Sequence, residues 1–176
     1  MFNSVQLNMG NDKYHNISHQ LSLAKTDWSW AGLIFDYNLD GNEDIFVTNG
    51  YRKYGSDNDS RIKINQTKLE YNNSVPIEMK KRLYEELPSE KLSNLLFKNE
   101  GKLTFNEVGE ESNILEPSFS NGASYADLDN DGDLEIIVNN IDQNAFIYKN
   151  FSVEKNIGSY LVIKPIGETS ETFAKV

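Results

Sequence analysis

Short apolar runs separated by clusters of Asn, Asp, Ser and Gly recur along most of the chain. Two of them, Ile45-Phe46-Val47 and Ile136-Ile137-Val138, follow directly on acidic stretches of nearly the same make-up. β-Branched and aromatic runs of this length, bounded by turn residues, read as strands. An offset of 91 residues superimposes the two runs and, without a gap, their surroundings as well. Asn8 falls on Asn99, Gly10 on Gly101, Tyr14 on Phe105, Ile17 on Val108, Leu23 on Ile114, Trp28 on Phe119, Ser29 on Ser120, Val47 on Val138 and Asn49 on Asn140. Residues 7–50 and 98–141 are therefore one unit used twice. Each unit predicts an Asn-x-Gly turn, a strand carrying Tyr14 and Ile17 or Phe105 and Val108, a strand led by Trp28 or Phe119, an acidic loop and an apolar strand.

A repeated unit of this size cannot bury its hydrophobic face alone, which is the logic of solenoids and propellers, and four short strands are the content of one propeller blade. Between the units the alternation disappears. Tyr54-Gly-Ser-Asp-Asn-Asp-Ser60 reads as a polar loop, and Pro76 to Leu87 places Ile77, Met79 or Lys80, Leu83, Tyr84 and Leu87 near helical spacing. Ser74 offers a cap and Pro88 a stop, so a helix is expected there, inserted between blades as a lid on the propeller or a recognition element. The organisation read from the chain is a first blade over residues 1–50, an insertion over 51–93, a second blade with the start of the next over 94–150, and a linker with the beginning of another segment over 151–176.

The acidic stretches carry the chemistry. Asp36-Tyr-Asn-Leu-Asp-Gly-Asn-Glu-Asp44 and Asp127-Leu-Asp-Asn-Asp-Gly-Asp-Leu-Glu135 place oxygen-bearing side chains at positions one, three, five and nine around a glycine at six. Ca²⁺ takes about six to eight oxygen ligands and turns the mutual repulsion of such carboxylates into a cross-link. An EF-hand is ruled out, because position twelve, which needs a bidentate Glu before a helix, is Val47 in one loop and Val138 in the other. The ninth position closes the shell instead. Two calcium sites are expected: Asp36, Asn38, Asp40 and Asp44 with the main chain of Asn42, and Asp127, Asp129, Asp131 and Glu135 with the main chain of Asp133. Gly41 and Gly132 supply the positive φ that a Cβ would penalise.

With these residues in view, Asn121 to Glu135 resembles the FG-GAP or VCBS repeat of integrin-α-type β-propellers, where the acidic loop is a calcium site. Thr26-Asp-Trp-Ser-Trp30, Phe46-Val-Thr-Asn-Gly-Tyr51, Pro117-Ser-Phe-Ser-Asn-Gly122 and Ala145-Phe-Ile-Tyr-Lys-Asn150 resemble the secreted bacterial relatives of cartilage acidic protein. In that family an ASPIC/UnbV segment follows the propeller, and Tyr160-Leu-Val-Ile-Lys-Pro165 with Ala174-Lys-Val176 is similar to its beginning. The resemblance implies an all-β fold, two blades and the start of a third from a longer propeller, with a helical insertion. Asn38 stands where the family commonly has Asp, and Thr172-Phe173 where it has Ile-Gly.

Net charge is −10, from 17 basic and 27 acidic residues. This argues against a nucleic-acid binder, which needs a basic face. Cysteine is absent and no apolar run approaches a membrane span. A secretion signal is expected upstream, since millimolar extracellular calcium suits exposed loops of modest affinity. His15 and His19 have the spacing of a zinc helix, yet they lie in strand and loop and Asn16 stands where the protease motif needs Glu. Trp28 is expected in the core by its equivalence to Phe119, and Trp30 on the surface as a candidate ligand-binding residue. The sequons at Asn16, Asn58, Asn65, Asn72 and Asn150 are read as chance. No nucleophile and base are paired, and a carboxylate committed to Ca²⁺ cannot act as a general acid. The expectation is a non-catalytic calcium-binding segment that binds protein or glycan at or outside the cell surface. The alternatives are part of a polysaccharide-active enzyme completed by missing blades, or a structural spacer.

Overall fold

Each acidic stretch forms the turn of a hairpin, and each apolar run is the strand that returns from it. The computed structural model describes residues 2–161 as three antiparallel sheets and two helices. Strands β1 (Gln6–Asn8) and β2 (Tyr14–Asn16) form the first sheet. β3 (Gly32–Phe35), β4 (Asp44–Val47), β5 (Leu95–Asn99) and β6 (Phe105–Glu107) form the second, and β7 (Ser120–Ala126), β8 (Glu135–Asn140) and β9 (Phe146–Tyr148) the third. Helices α1 (Asn58–Glu70) and α2 (Ile77–Glu85) lie between β4 and β5 in the chain.

The repeat governs the pairing. In the first sheet Gln6 faces Asn16 and Asn8 faces Tyr14, while in the second Phe97 faces Glu107 and Asn99 faces Phe105, the same register 91 residues on. Likewise Phe46 faces Leu96 between β4 and β5, and Ile137 faces Ile147 between β8 and β9. The four strands predicted from one unit do not, however, make one sheet. The second sheet takes β3 and β4 from the first unit and β5 and β6 from the second. The reason is the connection: residues 17–31 bury Ile17, Leu21, Leu23 and Ala24 as they cross from the first sheet to the second. The break between sheets therefore falls inside the sequence unit.

Side chains alternate across a strand, and the second sheet uses both faces. Ile45, Val47, Leu95, Phe97 and Phe105 meet Ile17, Leu21 and Leu23 on one side. On the other, Phe35, Phe46 and Leu96 meet Ile136 and Val138 of the third sheet. The ring of Phe35 stacks on Tyr125, with centroids 4.6 Å apart. Each fully buried Phe or Leu of this kind contributes about 1.5–3 kcal/mol. Among the described residues nothing comparable covers the far face of the third sheet, and Ile147 there is 64% exposed.

The insertion sits within the second sheet rather than between sheets, because β4 and β5 pair directly on either side of it. Bridges from Tyr51 to Glu90 and from Leu92 to Ser118 close its base. The helix read at Pro76–Leu87 is α2; its N-cap is Pro76 with no side-chain hydrogen bond, so Ser74 does not cap it. α1 was not expected from the pattern, having little apolar periodicity, and starts at Asp57, whose side chain accepts from Ser60 N. Thr67 is the single buried residue of the two helices. Neither helix packs as a lid; they lean on each other through Lys63 and Glu86 and on the chain through Lys53 Nζ, which donates to the carbonyls of Glu85 and Leu87. Among the described residues no helix is long and apolar enough to cross a membrane.

Candidate metal centre

In the first loop the acidic side chains close on their own backbone. Asp36 accepts from Asp40 N at 3.1 Å and Gly41 N at 2.8 Å, and Asn38 Oδ1 accepts from Asp40 N at 3.1 Å. Asp40 Oδ1 in turn accepts from Asn42 N at 2.9 Å. Gly41 has φ +86°, as the turn demands. Asp44, the ninth position, is fully buried, and its oxygens accept the N–H groups of Tyr37 at 3.2 Å and Asn99 at 2.7 Å. It thus ties the loop to the neighbouring strand β5. Among the described residues this loop brings no three carboxylates together within reach of one cation.

Asp44 bears a measurable consequence. Burial pushes its carboxyl up to about 6, against the two N–H donors and with repulsion from Asp40 and Asp36 adding to the rise. An unfolded Asp titrates near about 4, so between roughly pH 4 and 6 the folded chain binds the extra proton. Stability from this group is therefore fully present below the unfolded value and is lost as pH rises through about 6. In excess chelator, raising the pH from 4 to 7 is expected to cost the native chain roughly 5 °C in melting temperature relative to Asp44→Asn. Parallel curves for the two proteins in circular dichroism melts would contradict this.

The second loop is arranged differently. Asp127, Asp129 and Glu135 bring one carboxylate oxygen each to within 4.8 Å of one another, and so do Asp131, Asp133 and Glu154. Both groups are compatible with a cation such as calcium. Asp131, expected to share a shell with Asp127, is thus grouped with Asp133 instead, and Asp133 contributes a buried side chain where a main-chain carbonyl was expected. Glu135 repeats the role of Asp44: it accepts from Leu128 N at 2.8 Å and Asn150 N at 3.4 Å. Lys149 Nζ lies 2.8 Å from Asp129 and 3.3 Å from Glu154, and its ammonium, with burial opposing, holds the Asp129 carboxyl below the usual carboxylate range.

The segment after β9 draws the two loops together. Asn150 Nδ2 donates to Tyr37 O at 2.7 Å and to Leu134 O at 3.3 Å, one carbonyl in each loop. Ser152 Oγ reaches Tyr37 O, Val153 N reaches Asp133 Oδ2, and Ser159 N reaches Leu39 O. The Tyr160 ring covers Gly132, whose φ is +105° and where a Cβ would lie 2.0 Å from Tyr160 Cζ. The role of Asn150 between the loops, and Glu154 altogether, escaped the sequence reading. Asn150 follows β9 as Asn99 ends β5, and its N–H meets Glu135 as that of Asn99 meets Asp44, so a second, shorter repeat offset would have found it. Glu154 has no such signal.

Trp30 is 56% exposed, and its Nε1 donates to Gly50 O at 2.8 Å. Trp28 belongs to neither core: half-buried, it meets Tyr54 edge-on at 4.5 Å beside an open cleft of about 820 Å³ that Tyr51 and Asn49 also line. Its equivalent Phe119 is buried. His15 lies in β2 and His19 in the following turn, with its ring 5.6 Å from Phe2. The stretch likened to an ASPIC/UnbV segment lies outside the described residues beyond Leu161. No protein-family model matches the chain, and a search of curated proteins returns no significant match.

Proposed function

We propose that this chain is part of a calcium-stabilised β-propeller of the FG-GAP/VCBS kind, acting at or outside the cell surface as a non-catalytic module that binds protein or glycan. The observation that carries the reading is the repetition of register and of stacking. β4 and β8 hold the same place in their sheets, each opens on a carboxylate that accepts two backbone N–H groups, and each turns one face to the preceding sheet. A contact in which one face always meets the opposite face of the next copy is heterologous, and it closes into a ring when the rotation permits. Among the described residues the first sheet has the register of β5 and β6 alone, and the third that of β3, β4 and β5 alone. These are the incomplete blades that two flanking repeats would complete.

Calcium fits the oxygen-only donor sets, in which Asp127, Asp129 and Glu135 would hold the ion and fix the turn between β7 and β8. Its role here is to set shape, leaving recognition to the surface it holds. A glycan and protein array probed with the calcium-loaded chain is expected to yield specific ligands whose signal disappears in chelator. Ligands bound equally with and without calcium would refute the calcium-held surface, and turnover of an arrayed polysaccharide would refute the non-catalytic assignment.

A further inference from the structure

We propose that the cleft beside Trp28, Tyr51 and Tyr54 binds a neutral oligosaccharide built of pyranose rings, and that the base of the helical insertion completes this site. It rests on the proposed role as a binding module and narrows the ligand to a sugar.

Three aromatic rings meet here. Between centroids Trp28 lies 5.7 Å from Tyr51 and 4.5 Å from Tyr54, Tyr51 lies 5.6 Å from Tyr54, and Trp30 continues the group at 6.4 Å from Trp28. The insertion holds the two tyrosines. Tyr51 exchanges two backbone hydrogen bonds of 3.0 Å with Glu90 and donates its hydroxyl to Glu90 Oε2 at 2.8 Å, while Tyr54 N donates to Pro88 O at 2.9 Å. The cleft of about 820 Å³ is in the size range of small-molecule sites.

The repeat supplies an internal control. At the offset of 91 residues Trp28, Trp30, Tyr51 and Tyr54 become Phe119, Asn121, Asp142 and Ala145. The second unit pairs β7 with β8 in the register of β3 with β4 without these aromatics, so the fold does not require them. The shared asparagine differs too. Asn140 Nδ2 donates to Asn144 O at 2.8 Å. Asn49 is only 4% exposed, and its Oδ1 accepts from Trp28 N at 3.0 Å and Gly50 N at 2.9 Å, but its Nδ2 meets no acceptor among the described residues. That nitrogen is not sealed from solvent, and Asn49 lines the cleft, so the donor opens into it. An amide donor left unmet in so buried a side chain is costly, and a ligand oxygen supplies the partner.

The polar groups select among ligands of aromatic clefts. A pyranose packs its C–H face on Trp and Tyr rings, while its hydroxyls both donate and accept. The cleft answers both, with donors at Asn49 Nδ2 and Lys25 and an acceptor in the exposed Asp27 carboxylate. A proline-rich segment has no N–H at its prolines and leaves Asp27 without a donor. A quaternary ammonium needs rings standing apart around it, and these rings touch one another. Lys25 and Asp27 balance each other, and a net charge of −10 repels polyanionic glycans.

Trp28 and Trp30 are the only tryptophans, so intrinsic fluorescence reports from this cleft. Titration of cellohexaose, mannohexaose and chitohexaose into the calcium-loaded chain is expected to give a saturable change in emission with at least one of the three. Tyr54→Ala should weaken that binding on the order of tenfold by removing a stacking ring. Asn49→Asp keeps the oxygen that accepts from Trp28 N and Gly50 N but replaces the donor with an acceptor, and should cost a similar factor. Circular dichroism melts check that both variants fold, and Trp28→Phe, the residue of the second unit, serves in place of either that does not; read by calorimetry, it should weaken binding several-fold. Saturable binding that the folded variants leave unchanged puts the sugar elsewhere and overturns this inference alone. Binding of decaproline or heparin in place of the three sugars also overturns it and leaves the binding module standing. If no sugar in the panel binds, this inference falls, and the binding role falls with it only when the glycan and protein array is silent as well.

Discussion

Calcium added to the metal-stripped chain at a hundred times its dissociation constant raises the melting temperature by roughly 5–10 °C for each site filled. A ligand bound only to the folded state stabilises by about 2.7 kcal/mol at that excess. For a chain of this size each kcal/mol moves the midpoint by about 2–4 °C. The leverage comes from where the loops lie. Asn150 holds a carbonyl of each, and Ser152, Val153 and Ser159 fasten the same segment to both. Ordering one loop therefore orders the seam between the second and third sheets. Magnesium at the same excess is expected to give a smaller rise, since it demands an octahedral shell and keeps its water. Scanning fluorimetry with chelator, calcium and magnesium makes the comparison, and a midpoint indifferent to chelator would rule out metal in either loop.

The repeat was the most legible part of the sequence, because register depends on alternation and the same alternation recurs 91 residues later. Positions for β2 and β6, and for β4 and β8, follow from it directly. The phase of the sheets was not legible. Nothing in the composition of residues 17–31 says that Ile17 and Leu21 will lie against the face formed by Val47 and Phe97 rather than continue their own sheet. α1 escaped for the opposite reason: it buries only Thr67, so no apolar stripe marks it, and what defines it is the cap at Asp57.

The site was legible as a donor pattern and not as a geometry. Spacing placed oxygen at positions one, three, five and nine, and the structure agrees that Asp127, Asp129 and Glu135 converge. It could not show that Asp44 and Glu135 would spend their oxygens on backbone N–H groups of the neighbouring strand, which makes the ninth position an anchor in both hairpins. Nor could it bring in Glu154, because that residue reaches the loop through a turn whose path is set by Asn150 and Val153. Local patterns fix local donors; the partners that arrive from elsewhere in the chain depend on how sheets stack.

Phe46→Ala is expected to destabilise the chain by about 3–5 kcal/mol, and the substitution at its repeat equivalent, Ile137→Ala, by only about 1 kcal/mol. Phe46 is fully buried between the second and third sheets, with its ring against Tyr148 at 6.2 Å between centroids. Truncating it loses the transfer energy of the ring and leaves a cavity that β-strands on both sides cannot close. Ile137 stands at the same place in the third sheet, paired with Ile147 as Phe46 is paired with Leu96. Its face, however, has no following sheet among the described residues, and Ile147 beside it is open to solvent. The contrast isolates stacking from strand propensity, since both residues occupy the middle of a returning apolar strand. Urea unfolding of the two variants at several protein concentrations measures it. If Ile137→Ala costs as much as Phe46→Ala at every protein concentration, the face is not open and the stacking order does not hold, whereas a cost that grows with concentration means that a second copy stacks on it. If Phe46→Ala costs less than about 1 kcal/mol, the seam between the sheets is not where the stability lies.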